Sequence, residues 1–288
     1  MDELRAALTS AGSTAAVMAI YAFVWLITGS LAALAELAHT LVDAIAVTVT
    51  VFAVKTSRKP PDVEHPYGHY KADTLGGLFG SVIVLIAAAL IAYEAVERLL
   101  AWEPFTPDLF AAVAVVAAIA IDLNRVSILR RFKRSKALSA DALHFTTDIF
   151  ASAAVLVDFV IAMALASISY SLFREISPLV DVAMAAAITA IFASLSFRLL
   201  KASAIELLDY SPPDVVQEVE KVARGINGVV GVKDIRVRKA GEIYHGELTI
   251  EVPRGLSVEE AHEIADEVEK RVKEMLGGVV TVHVEPTS

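Results

Sequence analysis

ELAHTLVDAIA, residues 36–46, places a histidine and an aspartate, His39 and Asp43, four positions apart in a run that is otherwise almost wholly apolar. A second stretch, ALHFTTDIFAS at residues 142–152, repeats the spacing with His144 and Asp148. Side chains at i, i+4 share one helix face, about 6 Å apart. In hydrocarbon an ionisable group costs several kcal/mol unless it is paired or faces water or an ion. Whether that is the setting depends on what surrounds the two stretches.

The chain has 288 residues, 56% of them hydrophobic, with a mean hydropathy of +0.60. That is too apolar for an ordinary soluble domain of this length and points to several membrane spans. A net charge of −9 argues against nucleic acid as a partner, because phosphate binding needs a basic face. There is no cysteine, so disulfides are excluded and any metal must be held by nitrogen and oxygen. No cleavable signal peptide is expected: Met1 to Arg5 leads straight into a long apolar run. Asparagine and glutamine are confined to Asn124, Asn227 and Gln217, a weak sign of a thermophilic source.

Charge is unevenly spread. Residues 209–288 hold 26 of the 59 Asp, Glu, Lys and Arg residues. The chain therefore reads as a membrane domain, 1–208, followed by a soluble domain, 209–288. Pro212 and Pro213 interrupt the helix that leaves the membrane. A span needs roughly 20 mostly apolar residues. Six candidates meet this: 10–29, 31–55, 73–99, 107–130, 138–167 and 178–207, with Gly29-Ser30 breaking the first from the second.

Basic residues set the orientation. Lys55, Arg58, Lys59 and Lys71 flank the connection between spans two and three. Arg130, Arg131, Lys133, Arg134 and Lys136 fill the one between four and five, and Arg198 and Lys201 lie near the end of span six. The basic connections belong on the cytoplasmic side, so both termini are expected there. Spans two and five then run antiparallel. Packed side by side, they put His39 level with Asp148 and Asp43 level with His144. Two imidazoles and two carboxylates would converge near the bilayer midplane, a set that suits a tetrahedral zinc-like ion. One such pair could be an interhelical hydrogen bond; two pairs at identical spacing favour a metal site. Glu36 and Asp158 are read as lying toward the outer ends of their spans. Asp122, with Arg125 at i+3, is read as structural.

The soluble part reads α-β-β-α-β. Residues 213–225 form a short amphipathic helix. Two strands with period-two alternation meet at Lys239-Ala240-Gly241-Glu242. Ser257 and Glu260 make a capping box for a helix that runs to about Leu276, before Gly277-Gly278. VVTVHVE, residues 279–285, is the last strand.

Six spans, HxxxD in the second and in the fifth, and a small C-terminal domain resemble the cation diffusion facilitator family of proton-coupled metal exporters. The resemblance covers essentially the whole chain. It implies a transport site of His39, Asp43, His144 and Asp148, with the two-His, two-Asp set typical of zinc carriers. Cadmium, cobalt, iron or manganese export by a member of the same family is the alternative. In DVEHPYGHYKAD, residues 62–73, Asp62, His65 and His69 match a family pattern that binds a second zinc. Lys71 and Asp209 match a charge interlock between the two parts of a dimer, and Tyr70 stands where a glycine is usual. The C-terminal domain is implied to be metallochaperone-like and to dimerise. His262, His283 and Glu285 match ligand positions of a regulatory site there, with His245 nearby in sequence. Lys233 and Thr249 depart from the ligand pattern, since an ammonium repels a cation and threonine cannot replace imidazole.

The resulting expectation is a homodimeric Zn2+/proton antiporter in the plasma membrane, with the lipid bilayer as its setting. Metal binds only neutral imidazole and ionised carboxylate, so protons compete with it. A channel or receptor that merely binds metal, and an intramembrane metalloenzyme, are the other classes. No HExxH and no P-loop GxxxxGK[ST] is present, so neither a metalloprotease nor an ATP-driven pump is expected.

Overall fold

The computed structural model describes residues 2–28, 31–101 and 109–287. The break at Gly29-Ser30 lies outside them, as do the side chains of His39, Glu36 and Asp158. The chain divides into two compact units, Met1–Ser203 and Ala204–Ser288.

The first unit is built from six long helices: α1 (Glu3–Thr28), α2 (Leu31–Ser57), α3 (Lys71–Ala101), α4 (Leu109–Leu129), α5 (Lys136–Ile168) and α6 (Tyr170–Leu207), the last running on into the second unit. Glu3–Val24 and Lys71–Leu90 are each long and apolar enough to cross a bilayer. Helices α1, α2, α3, α5 and α6 reach beyond the apolar windows from which they are read. Hydropathy marks where lipid lies, whereas a helix continues while its backbone hydrogen bonds can be made. Thus α1 starts at Glu3 because Ala6 and Ala7 are wholly buried against Val47, Val54, Val126, Leu129, Leu138 and Phe145. Arg174-Glu175, between the fifth and sixth candidate spans, lies within α6.

Two devices place α5. Gly76, Gly77 and Gly80 turn a bare face of α3 toward it. A Cβ at Gly76 would collide with that of Ala53 on α2 and sit 2.9 Å from that of Ala137 on α5, and one at Gly80 would sit 2.6 Å from that of Ala140 on α5. Small residues four apart let helix backbones approach closely, which is how helices associate where lipid removes the hydrophobic drive. Asp73, in the first turn of α3, then caps α5. Its carboxylate accepts from Ser135 Oγ and from Lys136 N, both at 2.5 Å, while Ser135 Oγ accepts from Leu138 N at 3.1 Å. An anion at a helix N-terminus satisfies orphan amides and complements the dipole.

The second unit contains α7 (Pro213–Arg224), β1 (Gly231–Ala240), β2 (Ile243–Val252), α8 (Val258–Leu276) and β3 (Val279–Pro286). The sheet order is β1-β2-β3, with β1 and β2 antiparallel and β2 and β3 parallel. Gly241, at φ +59°, supplies the left-handed residue of the hairpin turn. A bulge between Lys233 and Arg236 contains Asp234, also at positive φ. Alternate residues Leu248, Ile250 and Val252 of β2 meet Val268 and Val272 of α8 and Val219 of α7 in one core. Each fully buried valine contributes about 2 kcal/mol. Ser257 and Glu260 exchange both bonds of the capping box, and Gly277 ends α8 at φ +66°.

Candidate metal centres

Helices α2 and α5 pack against each other, and that contact brings three groups together. Asp43 is 5% exposed and His144 4%. His144 Nε2 lies 3.0 Å from Asp43 Oδ1 and 3.9 Å from Asp148 Oδ2. One ligand atom from each of the three lies within 4.8 Å of the others. Tetrahedral zinc, with bonds of about 2.0–2.2 Å to N and O, holds ligand atoms roughly 3.4 Å apart, and the two distances bracket that value. His39 is on α2, one turn before Asp43; its side chain is outside the described residues.

Around this cluster lie charges that the sequence reading either set aside or did not single out. Asp141, one turn before His144, is buried and accepts from Ser10 Oγ of α1 at 2.6 Å. Arg125 of α4 is 1% exposed, with Nη2 3.4 Å from Asp122 Oδ1. Its Cζ sits 3.6 Å above the ring of Phe145. Asp141 could have been found by its i, i+3 relation to His144; the stacking of Arg125 leaves no mark in sequence spacing.

The second cluster lies in the connection between α2 and α3. Asp62 Oδ1 accepts from His65 N at 2.7 Å and lies 3.2 Å from His65 Nδ1; Asp62 Oδ2 lies 3.7 Å from His69 Nε2. The two imidazoles stand 4.2 Å apart, centroid to centroid. The His65 amide at its carboxylate is the main reason that Asp62 titrates below the usual range. Gly68, at φ +81°, makes the turn that folds His69 back. Tyr70, at the departure from the family pattern, covers that turn: a Cβ on Gly68 would lie 2.6 Å from its ring.

The C-terminal candidates are not gathered within one chain. His262, 75% exposed on its side chain, lies 3.7 Å from Asp266 on α8, while His283, 70% exposed, lies 3.9 Å from Glu285 on β3. Lys233 Nζ sits 2.6 Å from Glu251 and 3.9 Å from Glu285, and the bond to Glu251 raises its pKa. His245 pairs in register with Val279, four residues along β3 from His283, or about 13 Å. It lines a cavity of about 340 Å³ with Asp209, Ser211, Arg236, Arg238 and Glu247. Asp209, at φ +57°, meets Arg238 Nη1 at 3.3 Å. Lys71 opens α3 in the other unit.

Comparison with known proteins adds three results. Residues 7–208 match the family model of the cation efflux transmembrane domain, and residues 211–287 that of the cation efflux protein cytoplasmic domain. Among curated proteins, the chain is 32% identical over 289 positions to the cation-efflux pump FieF of Cronobacter sakazakii, covering 99% of this chain and 93% of that one. It is 30% identical to FieF of Yersinia enterocolitica and 29% to that of Klebsiella pneumoniae, with the same coverage. Among solved structures, a nickel form of the MamM CTD matches at 25% identity over 27% of this chain and all of that one, with a TM-score of 0.26.

Proposed function

The chain belongs to the cation diffusion facilitator family of cation-efflux transporters, and we propose that its cargo is Zn2+, exchanged for protons by alternating access. As a member of that family it is a membrane protein that exports metal cations, and it is not an enzyme.

The zinc reading rests on one observation: a buried imidazole within 3.0–3.9 Å of two buried or half-buried carboxylates. Imidazole favours zinc over the harder cations that carboxylates alone suit. With His39 as the fourth ligand, the set is His39, Asp43, His144 and Asp148. Cadmium, cobalt, iron and manganese are the alternative cargoes. Each imidazole must be neutral to bind, so proton and metal exclude each other. A site facing a neutral cytoplasm loads metal, and one facing a more acidic exterior exchanges it for protons. Rocking of the helices around a fixed site switches access, as in other secondary carriers.

In this reading residues 1–208 carry the transport path and 209–288 form a cytoplasmic domain that pairs two copies. Both termini face the cytoplasm and the membrane is the plasma membrane. Asp62, His65 and His69 bind a second zinc that fixes the α2–α3 connection, and Lys71 and Asp209 form the interlock. A regulatory site from His262, His283 and Glu285 would need a second copy to complete it, and Lys233 weakens it.

The test uses the whole protein in sealed vesicles with a pH-sensitive dye inside. Zinc added on the side bearing the C-terminal domain should move and drive protons the other way. It should move faster when the receiving side is brought to about pH 6. Zinc movement without opposing proton movement would replace the antiporter with a channel.

A further inference from the structure

We propose that Arg125 is a positioning residue of the transport site: stacked on Phe145, it holds the imidazole of His144 toward Asp43 and so sets the preference for zinc. The inference rests on His144 being a ligand. A guanidinium keeps its charge at any pH a protein meets, so burying one in a membrane helix needs a compensating use. Asp122, at 3.4 Å from Nη2, balances its charge, but among the described residues Nε and Nη1 make no hydrogen bond, so most of the guanidinium has no polar role. What the side chain does make is a close face contact, with Cζ 3.6 Å from the centroid of Phe145.

Phe145 is fully enclosed and directly follows His144. Its ring meets the imidazole edge-on, 5.0 Å between centroids at 62°. A metal-ligating histidine is normally oriented by an acceptor on its second nitrogen, and removing that acceptor costs 10- to 100-fold in affinity. Here Nδ1 of His144 makes no hydrogen bond among the described residues. Orientation therefore falls to packing: the guanidinium clamps the phenyl ring by a cation–π contact, and the phenyl edge limits rotation of the imidazole. Residues Asp141, Asp148 and Asp43 lie within electrostatic reach of the same cation, which ties it to this end of α4 and α5.

If the clamp acts through His144, its loss should fall on the metal that depends on imidazole. Zinc loses a nitrogen ligand when the ring swings, while Mn2+, which suits carboxylates, loses less. A purely structural pair of Arg125 with Asp122 would weaken both metals alike.

The experiment measures Mn2+ binding by electron paramagnetic resonance and Zn2+ binding by displacement of Mn2+. It uses the full-length protein with His65→Ala and His69→Ala to remove the loop cluster. Arg125→Lys keeps a charge for Asp122 but loses the planar stack; Phe145→Leu loses the ring; Phe145→Tyr keeps it. The first two should lower zinc affinity about tenfold with Mn2+ within about twofold, and Phe145→Tyr should restore the parent ratio. Arg125→Gln with Asp122→Asn removes both charges together, so no lone buried ion is left, and should show the same loss of ratio if the single variants fail to fold. Equal losses for both metals, or an unchanged ratio, would overturn the proposal. His144→Ala separates the levels: unchanged zinc affinity there overturns the ligand assignment and this inference together. Lost zinc affinity there with an unchanged ratio in Arg125→Lys overturns this inference alone.

Discussion

Asp73→Ala should uncap the helix that carries His144 and Asp148. The carboxylate is buried and serves Ser135 Oγ, Lys136 N and, at 3.4 Å, Ala137 N. A hydrogen bond to a charged group contributes about 1.5–3 kcal/mol, and a buried donor left without an acceptor costs about 1–3 kcal/mol. Ser135 still caps Leu138 N, so part of the N-terminus survives. The expected loss is therefore about 3–4 kcal/mol. Asp73→Asn keeps one acceptor oxygen but replaces the other with a donor, so it loses the charge at the helix end and one accepted bond, about 2 kcal/mol. At about 2–4 °C per kcal/mol for a domain of this size, thermal unfolding of the detergent-purified protein should fall by roughly 10 °C for Ala and by about 6 °C for Asn. Zinc flux should follow the same order, because the frayed turn begins α5. If Asp73→Ala melts within about 2 °C of the parent, or if Asn is as damaging as Ala, the capping argument fails.

Asp43→Ala or Asp148→Ala should abolish zinc flux in vesicles while the protein still elutes as a folded species, since each removes one ligand of the membrane cluster; near-normal flux in either would remove the assignment. His65→Ala with His69→Ala should weaken transport without ending it, and complete loss in a well-folded sample would mean that the loop lies on the path. Metal binds deprotonated ligands, so zinc binding at that loop, read by calorimetry in an Asp43→Ala background, should weaken on acidification. Asp62 has a lowered pKa, so its charge is present at neutral pH and lost only as pH falls through that lowered value. Zinc binding that persists unchanged where carboxylates protonate would contradict its role as a ligand. His39→Asp should shift uptake from zinc toward manganese, and an unchanged uptake ratio would show that this residue is not the selector.

Much of the molecule is written in local pattern. Apolar windows of about 20 residues identify membrane helices because lipid offers no partner for a backbone amide. The C-terminal elements follow from equally local signals: Ser257 with Glu260 starts α8, Gly277 ends it, and Gly241 turns the hairpin. The HxxxD spacing of His39 with Asp43 and of His144 with Asp148 is itself local, set by the helical repeat. Helix ends were less legible, because packing of Ala6 and Ala7 carries α1 well beyond the apolar window. What tertiary structure alone decided is which distant groups meet. Asp73 serves a helix that begins 63 residues later, and the bare face at Gly76 and Gly80 lets α5 come close enough for that cap. Arg125 reaches Phe145 across two helices, and His262 and His283 stay apart on α8 and β3. Spacing along one helix is fixed by its own hydrogen bonds, whereas a meeting between helices depends on how all their side chains pack at once. A single sequence records the first kind of contact directly and the second only through that packing.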